Sequence, residues 1–464
     1  LKYLPKLASG EYKASYCLTE PDSGSDANAA KTKAELSEDG KHYYITGQKM
    51  WITNAGFADI FIVFAKIEDD KKLTAFIIEK EYGNITMNPE ERKLGIKGSS
   101  TRQVFFNKTK VPVENMLSKR EKGFKIAVNI LNIGRIKLGS AVIGGSKEAM
   151  DFAVQYAIER QQFGKSIGEF GAIKHKLGEM ATKIYATEAA TYRAGQNIDD
   201  AYNSYIAEGM DAAEARLKSV EQFAIECAII KVHASEVLDF VVDETVQVYG
   251  GMGFSEEAPA ARGYRDARIN RIFEGTNEIN RMLTVNMLLK KAMKGELDLM
   301  TPAMKASEEL MSIPDFGDPD LSLFASEKKV LGQLKKAALM VSGAAVQKLM
   351  MELENEQEIL MQFGDALIEI YVAESTILRT EKLVALKGEK ACEAQLNMMR
   401  IYLHHAVNMV NNAGKEAIYA FAEGDEQRMM LMGLKRFTKI QPENLKEARR
   451  NVANTVLQNK SYHF

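Results

Sequence analysis

The sequence predicts a multidomain α+β protein, with a β-strand region followed by two helical regions. Three observations carry this. Between residues 11 and 116, β-branched and aromatic runs are cut by turn signals. From 123 to about 294, apolar residues recur at helical spacing. A proline-bearing stretch at 296–321 (Pro302, Pro314, Pro319) then precedes a second helical region.

In the first region, Asp39-Gly40 is a hairpin signal leading into His42-Tyr43-Tyr44-Ile45-Thr46. Gly47-Gln48 reads as a separator before Met50-Trp51-Ile52-Thr53. The runs Ile60-Phe61-Ile62-Val63-Phe64, Leu73-Thr74-Ala75-Phe76-Ile77-Ile78 and Gln103-Val104-Phe105-Phe106 follow. Short strands of this kind predict a small antiparallel sandwich or barrel. Beyond it, Met150, Val154, Ala157 and Ile158 share one helical face. Breaks are expected at Gly144-Gly145, Phe163-Gly164 and Gly250-Gly251, dividing a helix bundle. After the linker, Leu331, Leu334, Ala338 and Val341 form one stripe. Ile359, Leu360, Phe363, Leu367, Ile370 and Tyr371 form another, and both read as core-facing.

Composition narrows the function. The 464 residues are 46% hydrophobic and 27% charged, as in ordinary globular proteins. A net charge of -2 argues against nucleic acid. No apolar run reads as long enough to span a bilayer. Cys17, Cys227 and Cys392 form no CxxC pair, which favours a reducing compartment. Six histidines without HExxH spacing argue against zinc. The chain begins Leu1-Lys2-Tyr3, without methionine, as a trimmed or partial chain would.

Several segments offer chemistry, each beside a bland reading. In Phe273-Glu274-Gly275-Thr276-Asn277-Glu278-Ile279 a carboxylate precedes a glycine and follows an apolar, cationic run. Poor solvation raises such a carboxyl and suits it to proton abstraction; the plain alternative is a helix stop. Residues 16–26 form a polar Pro- and Gly-containing loop fit for a polar ring or phosphates, or merely a surface turn. Trp51 and Thr53 fall two residues apart on a strand, so ring and hydroxyl share a face; Trp51 as core filler is the alternative. Arg160 at a helix end suits pyrophosphate, or simply caps the helix. Gly164-Lys165-Ser166 resembles a P-loop tail, but Glu159 stands where its first glycine belongs. The glycines of residues 247–254 lack the GxGxxG spacing of a Rossmann turn.

Taken in order, these segments resemble the acyl-CoA dehydrogenase family across residues 4–289. The match runs through 16–26, Gly47-Gln48-Lys49-Met50-Trp51-Ile52-Thr53-Asn54, Val111-Pro112-Val113, 159–164, 247–254 and 273–279. Leu131-Asn132-Ile133-Gly134-Arg135, Phe170-Gly171-Ala172-Ile173 and the extra helical region are similar to the very-long-chain branch. The resemblance implies a multidomain α+β fold: a middle antiparallel β domain (11–118), a four-helix-bundle domain (119–294), a linker (295–321) and a C-terminal helical extension (322–464). Residues 1–10 would be a remnant of an N-terminal helical domain otherwise absent from this chain.

The same resemblance implies FAD-dependent α,β-dehydrogenation of long-chain fatty acyl-CoA in β-oxidation. Glu274 would be the α-proton base. Gly134 stands where some relatives carry theirs. The thioester oxygen would be held by the base's backbone N–H and a ribityl hydroxyl of FAD. Cofactor contacts would be Tyr16, Leu18, Thr19, Gly24, Ser25, Trp51, Ile52, Thr53, Thr276 and Glu278. Arg160, Gln162, Phe163, Gln247, Val248, Gly250 and Gly251 would reach the FAD of a neighbouring subunit. Ser25, Asn132, Arg135, Phe273 and Gly275 would contact substrate. A homodimer, electron-transferring flavoprotein as acceptor, and a cytoplasmic or mitochondrial-matrix location, not secretion, would follow. Same-fold alternatives are an acyl-CoA oxidase and an assembly or scaffold protein. Seven acidic residues against Lys305 in 296–321, around Phe316, argue against docking on an anionic membrane.

Overall fold

β-branched and aromatic runs pair first. A short helix α1 (Leu4–Ser9) precedes strands β1 (Ala14–Cys17), β2 (Lys33–Leu36), β3 (His42–Thr53), β4 (Ile60–Ile67), β5 (Thr74–Glu79), β6 (Ile85–Met87), β7 (Thr101–Pro112) and β8 (Met116–Leu117). They form one sheet, ordered β6-β7-β3-β2-β4-β5-β8, with β1 on β4. Pairing is antiparallel except where β4 runs parallel to β1 and β2. The computed structural model describes residues 2–311 and 322–464. They divide into two units, Leu1–Leu131 and Asn132–Phe464.

Asp39-Gly40 does turn β2 into β3, with Gly40 at φ +65°. Gly47-Gln48, however, does not separate two strands. β3 runs unbroken through it, irregular at Ile45/Thr46 and Lys49/Ile52. A Cβ at Gly47 would collide with Thr32, so this glycine permits a close strand approach. The sheet's inner face carries Cys17, Ile45, Ile52, Phe61, Val63, Phe76 and Phe106, all buried.

The second unit is helical: α2 (Gly123–Glu159, entered from the first unit), α3 (Gly171–Ala207), α4 (Ala212–Gln222), α5 (Ala224–Tyr249), α6 (Pro259–Ala267), α7 (Asn277–Met293), α8 (Met300–Met311), α9 (Ala325–Leu349), α10 (Gln357–Lys387), α11 (Glu393–Phe421), α12 (Gly424–Phe437) and α13 (Leu445–Asn459). A two-strand hairpin, β9 (Gln161–Gln162) and β10 (Lys165–Ser166), follows α2.

The break expected at Gly144-Gly145 is absent, because α2 is continuous there. Its small residues serve packing: a side chain at Gly139 would collide with Ile230 of α5, and one at Gly145 would meet Leu238. The breaks at Phe163-Gly164 and Gly250-Gly251 are present. Contrary to the sequence reading, α2 does carry an 18-residue window of mean hydropathy 1.4, in the range of a membrane span. Packing within the protein accounts for part of it, since Met150, Ala153, Val154 and Ala157 are fully buried against α3 and α5. One such helix is weak evidence for a membrane.

The linker expectation needs a second correction. Met300–Met311 is helix, started by Asp298, which accepts from the Thr301 N–H at 3.0 Å. Pro302 falls in the first turn, where a missing N–H costs nothing. Ala303 and Ala306 are buried there. Pro314, Phe316 and Pro319 lie outside the described residues.

The helices after the linker share their core with those before it. Ala190, Ile229 and Val285 belong to the same buried cluster as Leu334, Phe363 and Tyr402. The chain end closes over α3: Tyr462 Oη donates to the buried Glu188 carboxylate at 2.7 Å, which Arg379 also holds at 3.0 Å. Tyr462→Phe should therefore lower stability by about 1.5 kcal/mol. Urea unfolding reads this as a lower midpoint at constant slope, and an unmoved midpoint would show that this bond contributes nothing.

Candidate active site

In the first unit, the loop at 16–26 and the Trp51 segment lie side by side. Met50 N–H donates to Thr19 O at 3.0 Å, and Ser15 Oγ donates to Thr53 O at 2.8 Å. Between them sits a buried ion pair. Lys49 Nζ donates to Glu20 Oε1 at 2.7 Å, Phe64 O at 2.7 Å and Leu18 O at 3.2 Å. Glu20 in turn accepts from the backbone N–H groups of Lys31 and Thr32. Burial raises the Glu20 carboxyl, but Lys49 and these N–H groups outweigh it and hold it below the usual range.

This scaffold presents Trp51. It takes φ +59° at the β3 irregularity and is 54% exposed beside the exposed Thr53, while Ile52 between them is in the core. A large exposed aromatic on a rigid strand, held in a strained backbone, is the kind of surface a flat ring system stacks against. Gly24 and Ser25 are exposed and offer polar atoms there, Thr19 is half-buried, and Tyr16 is half-buried with its hydroxyl turned inside. Leu18 and Ile52 turn their side chains into the core, which leaves only their backbone for a ligand.

In the second unit, a reversal ahead of α7 aims the Glu274 side chain at α2. Two successive left-handed residues make that reversal, Glu274 at φ +61° and Gly275 at φ +81°. Thr276 then caps α7, its Oγ1 accepting from Ile279 N–H at 3.3 Å. A helix start, not a stop, explains the pair. Glycine is favoured at 275 by its φ, and a Cβ there would also press on Asn280 Nδ2 at 3.0 Å. Asn280, fully buried, donates to Gly275 O at 2.8 Å and Thr276 O at 3.0 Å. Arg135 of α2 donates from Nε to Glu274 O at 3.1 Å and from Nη1 to Asn132 Oδ1 at 3.0 Å.

The Glu274 carboxylate is placed by this framework and bound by none of it. Its Oε2 is buried and has no hydrogen-bond partner. Burial raises its pKa, with Arg135 and Lys231 partly offsetting the rise. A Cβ at Gly134 would sit 2.6 Å from Oε2, so position 134 and the Glu274 carboxylate compete for the same space. Phe273 is partly exposed beside it, and Glu278 is exposed on the first turn of α7.

Asn132 and Arg135 are buried and engaged with the Glu274 loop, which leaves them poorly placed as direct substrate contacts. Arg281 anchors α7 by pairing with Glu236 of α5 at 2.8 Å and Asp365 of α10 at 2.6 Å. Asn280, Arg281, Lys49 and Lys231 were missed by the sequence reading. A charged residue inside an apolar helical face, as at Lys231, was the one available signal.

The remaining predicted residues gather at the other end of α5. Tyr156 of α2 stacks on Tyr249 at 4.2 Å, bringing the hairpin after α2 beside Gln247, Gly250 and Gly251. Phe163 takes φ +54° and Gly164 φ +80° at the hairpin tip, and the Phe163 side chain is 93% exposed. Arg160, Gln162 and Gln247 are exposed as well, and Val248 is in the core. Sixteen residues of α5 separate Gln247 from Lys231 near the Glu274 loop, about 24 Å along the axis. The two clusters are therefore distinct within one chain.

Comparison with known proteins returns one family along the chain. The model of the acyl-CoA dehydrogenase middle domain matches residues 15–109. Two models described as acyl-CoA dehydrogenase, C-terminal domain, match 121–289 and 333–436. A probable acyl-CoA dehydrogenase of Bacillus subtilis (strain 168) is 45% identical over 99% of this chain and 77% of its own length. The human mitochondrial very long-chain specific acyl-CoA dehydrogenase is 38% identical over 82% of this chain and 59% of its own. The crystal structure of an acyl-CoA dehydrogenase complexed with FAD from Bacillus anthracis superposes with a TM-score of 0.96 at 44% identity, covering 100% of this chain and 78% of that one.

Proposed function

This chain belongs to the acyl-CoA dehydrogenase family, and from that premise we propose that it oxidises long-chain fatty acyl-CoA to trans-2-enoyl-CoA in fatty acid β-oxidation, with Glu274 taking the α-proton. It is an FAD-dependent acyl-CoA dehydrogenase. One observation carries the assignment of the base: the buried, unpartnered Oε2 of Glu274, aimed at the space beside Gly134.

Bound FAD supplies the hydride acceptor for the β-carbon. The protein's part is to hold and move the proton. Arg135 and Asn280 fix the backbone carbonyls of Glu274 and of Gly275 just after it, so the carboxylate meets its target without reorganisation. Its backbone N–H is the protein's proposed donor to the thioester oxygen. Tyr16, Thr19, Gly24, Ser25, Trp51, Thr53, Thr276 and Glu278 are the proposed flavin contacts of the same chain. Ser25, Phe273 and Gly275 are the proposed substrate contacts, and Arg135 and Asn132 act on the base loop.

The separation along α5 supports assigning Arg160, Gln162, Phe163, Gln247, Gly250 and Gly251 to the FAD of a second copy. A strained, exposed phenylalanine at a hairpin tip fits insertion into a partner. The functional unit is then a homodimer, and electron-transferring flavoprotein is the proposed acceptor.

Palmitoyl-CoA added without oxygen should bleach the yellow colour of the purified protein. Persistent colour would count against dehydrogenation of long-chain substrate. Because Glu274 must be ionised to act and burial raises its pKa, bleaching should slow as pH falls through that raised value. The flavin is expected to be held without a covalent bond, because the side chains of Cys17, Cys227 and Cys392 are all buried in the core. Heat denaturation should release the yellow colour into the supernatant. Colour retained by the washed precipitate would contradict this.

A further inference from the structure

Lys231 is a buried charge that the mechanism above leaves unused. It lies on α5 with a fully buried side chain, and its Nζ donates to Asn277 Oδ1 at 2.6 Å. Among the described residues it forms no ion pair. Asn277 is the first residue of α7, three positions past Glu274, and its Nδ2 donates to Ser235 Oγ and Glu236 Oε1, each at 3.0 Å. Lys231 and Ser235, one turn apart on α5, thus grip the residue from which α7 starts.

Burying an ammonium against a neutral amide alone is costly, and a hydrophobic residue there would satisfy packing better. A positional reason is needed. The charged groups acting on it are Arg135 from α2, Glu236 from α5, Glu278 from α7 and Glu274 from the loop before α7. Arg281 is paired with both Glu236 and Asp365, and Glu278 is exposed. The Cys227 thiol on α5, pushed up to about 12 by burial, stays neutral. Arg135 and Lys231 are then the two cations not cancelled by a contacting carboxylate, and the nearby carboxylate without a hydrogen-bond partner on Oε2 is Glu274.

We propose that Lys231 is a positioning residue for the α-proton base: it fixes the start of α7 through Asn277 and keeps a buried cation behind the Glu274 loop, so that Glu274 stays ionised and able to accept the proton. This rests on the reading of Glu274 as the base. Burial pushes the Lys231 ammonium down to about 8, so it stays protonated through the acid range.

The test compares Lys231→Gln, which keeps a donor for Asn277 without the charge, with Lys231→Met, which keeps neither. Both are measured in the FAD-loaded protein as rate of flavin reduction against pH. In both, the acid limb should move to higher pH, because removing a nearby cation makes Glu274 easier to protonate. The loss in Lys231→Gln should be greatest in acid and shrink as pH rises, whereas a merely structural defect lowers the rate evenly. A second readout needs no turnover. The infrared band of a protonated carboxyl that disappears in Glu274→Gln should persist to higher pH in either Lys231 variant.

An unmoved acid limb and band, with Glu274→Gln still losing the rate, would overturn this inference alone. Full rate in Glu274→Gln would overturn the assignment of the base and this inference with it.

Discussion

Substrate-driven bleaching of the flavin should fall by at least about 100-fold in Glu274→Gln, with FAD content unchanged. Gln keeps the shape of the side chain and removes the proton acceptor. The magnitude follows from the usual contribution of a positioned general base, ~10²–10⁴-fold. FAD should remain bound because the carboxylate makes no hydrogen bond through Oε2 that the fold depends on. The anchoring bonds run to the backbone carbonyls of 274, 275 and 276, which the substitution leaves in place. Stability should rise slightly if anything, since a buried and poorly solvated charge is replaced by a neutral amide.

Among the described residues, neither alternative position supplies a replacement carboxylate. Gly134 has no side chain, and Glu278 is exposed on α7. Glu278→Gln, compared at equal FAD content because Glu278 is a proposed flavin contact, should bleach faster than Glu274→Gln by a similar factor. If Glu278→Gln loses the rate and Glu274→Gln keeps it, the base has been misassigned. If both keep it, the proton leaves by another route.

What the sequence made legible was whatever a short segment determines by itself. Glu274-Gly275-Thr276 is such a segment, because a left-handed pair followed by a capping threonine fixes the reversal locally. Trp51 and Thr53 were legible in part: both are exposed around a buried Ile52, but the left-handed turn of Trp51 at the β3 irregularity is not written in that alternation. The fold class followed from the same local periodicities. The groups that hold these segments in place were not legible. Lys49 and Glu20 are 29 residues apart, Lys231 and Asn277 are 46 apart, and Arg281 and Asp365 are 84 apart. No local pattern pairs them.

Glycine and proline misled where tertiary contact, and not chain reversal, explains them. Gly47 lies within a strand because Thr32 crowds it, and Gly144-Gly145 lies within the continuous helix α2, where Gly145 faces Leu238 of α5. Pro302 starts a helix instead of extending a linker.

The second large effect is expected in the β unit. Lys49→Met should cost about 3–5 kcal/mol, the usual result of removing one partner from a buried ion pair. Methionine fills similar volume, so the loss is not one of packing. It arises because Glu20 is left buried as an unpaired carboxylate, while Leu18 O and Phe64 O lose their donor. The pH dependence separates these contributions. In the parent protein Glu20 titrates below its ordinary range, so its contribution is present above the unfolded carboxyl pKa and is lost as pH falls through the depressed folded value. In Lys49→Met the same carboxyl has burial without the cation, so protonation in acid relieves the penalty. The stability gap between the two proteins should therefore narrow as pH drops. The loop at 16–26 should loosen with the lost anchor, and FAD should dissociate more readily at neutral pH. Urea unfolding at several pH values, with FAD retention measured by gel filtration, checks both consequences. A gap that stays constant with pH would mean that the ion pair contributes no charge-dependent stability. Undiminished FAD retention would mean that the loop keeps its conformation without Lys49.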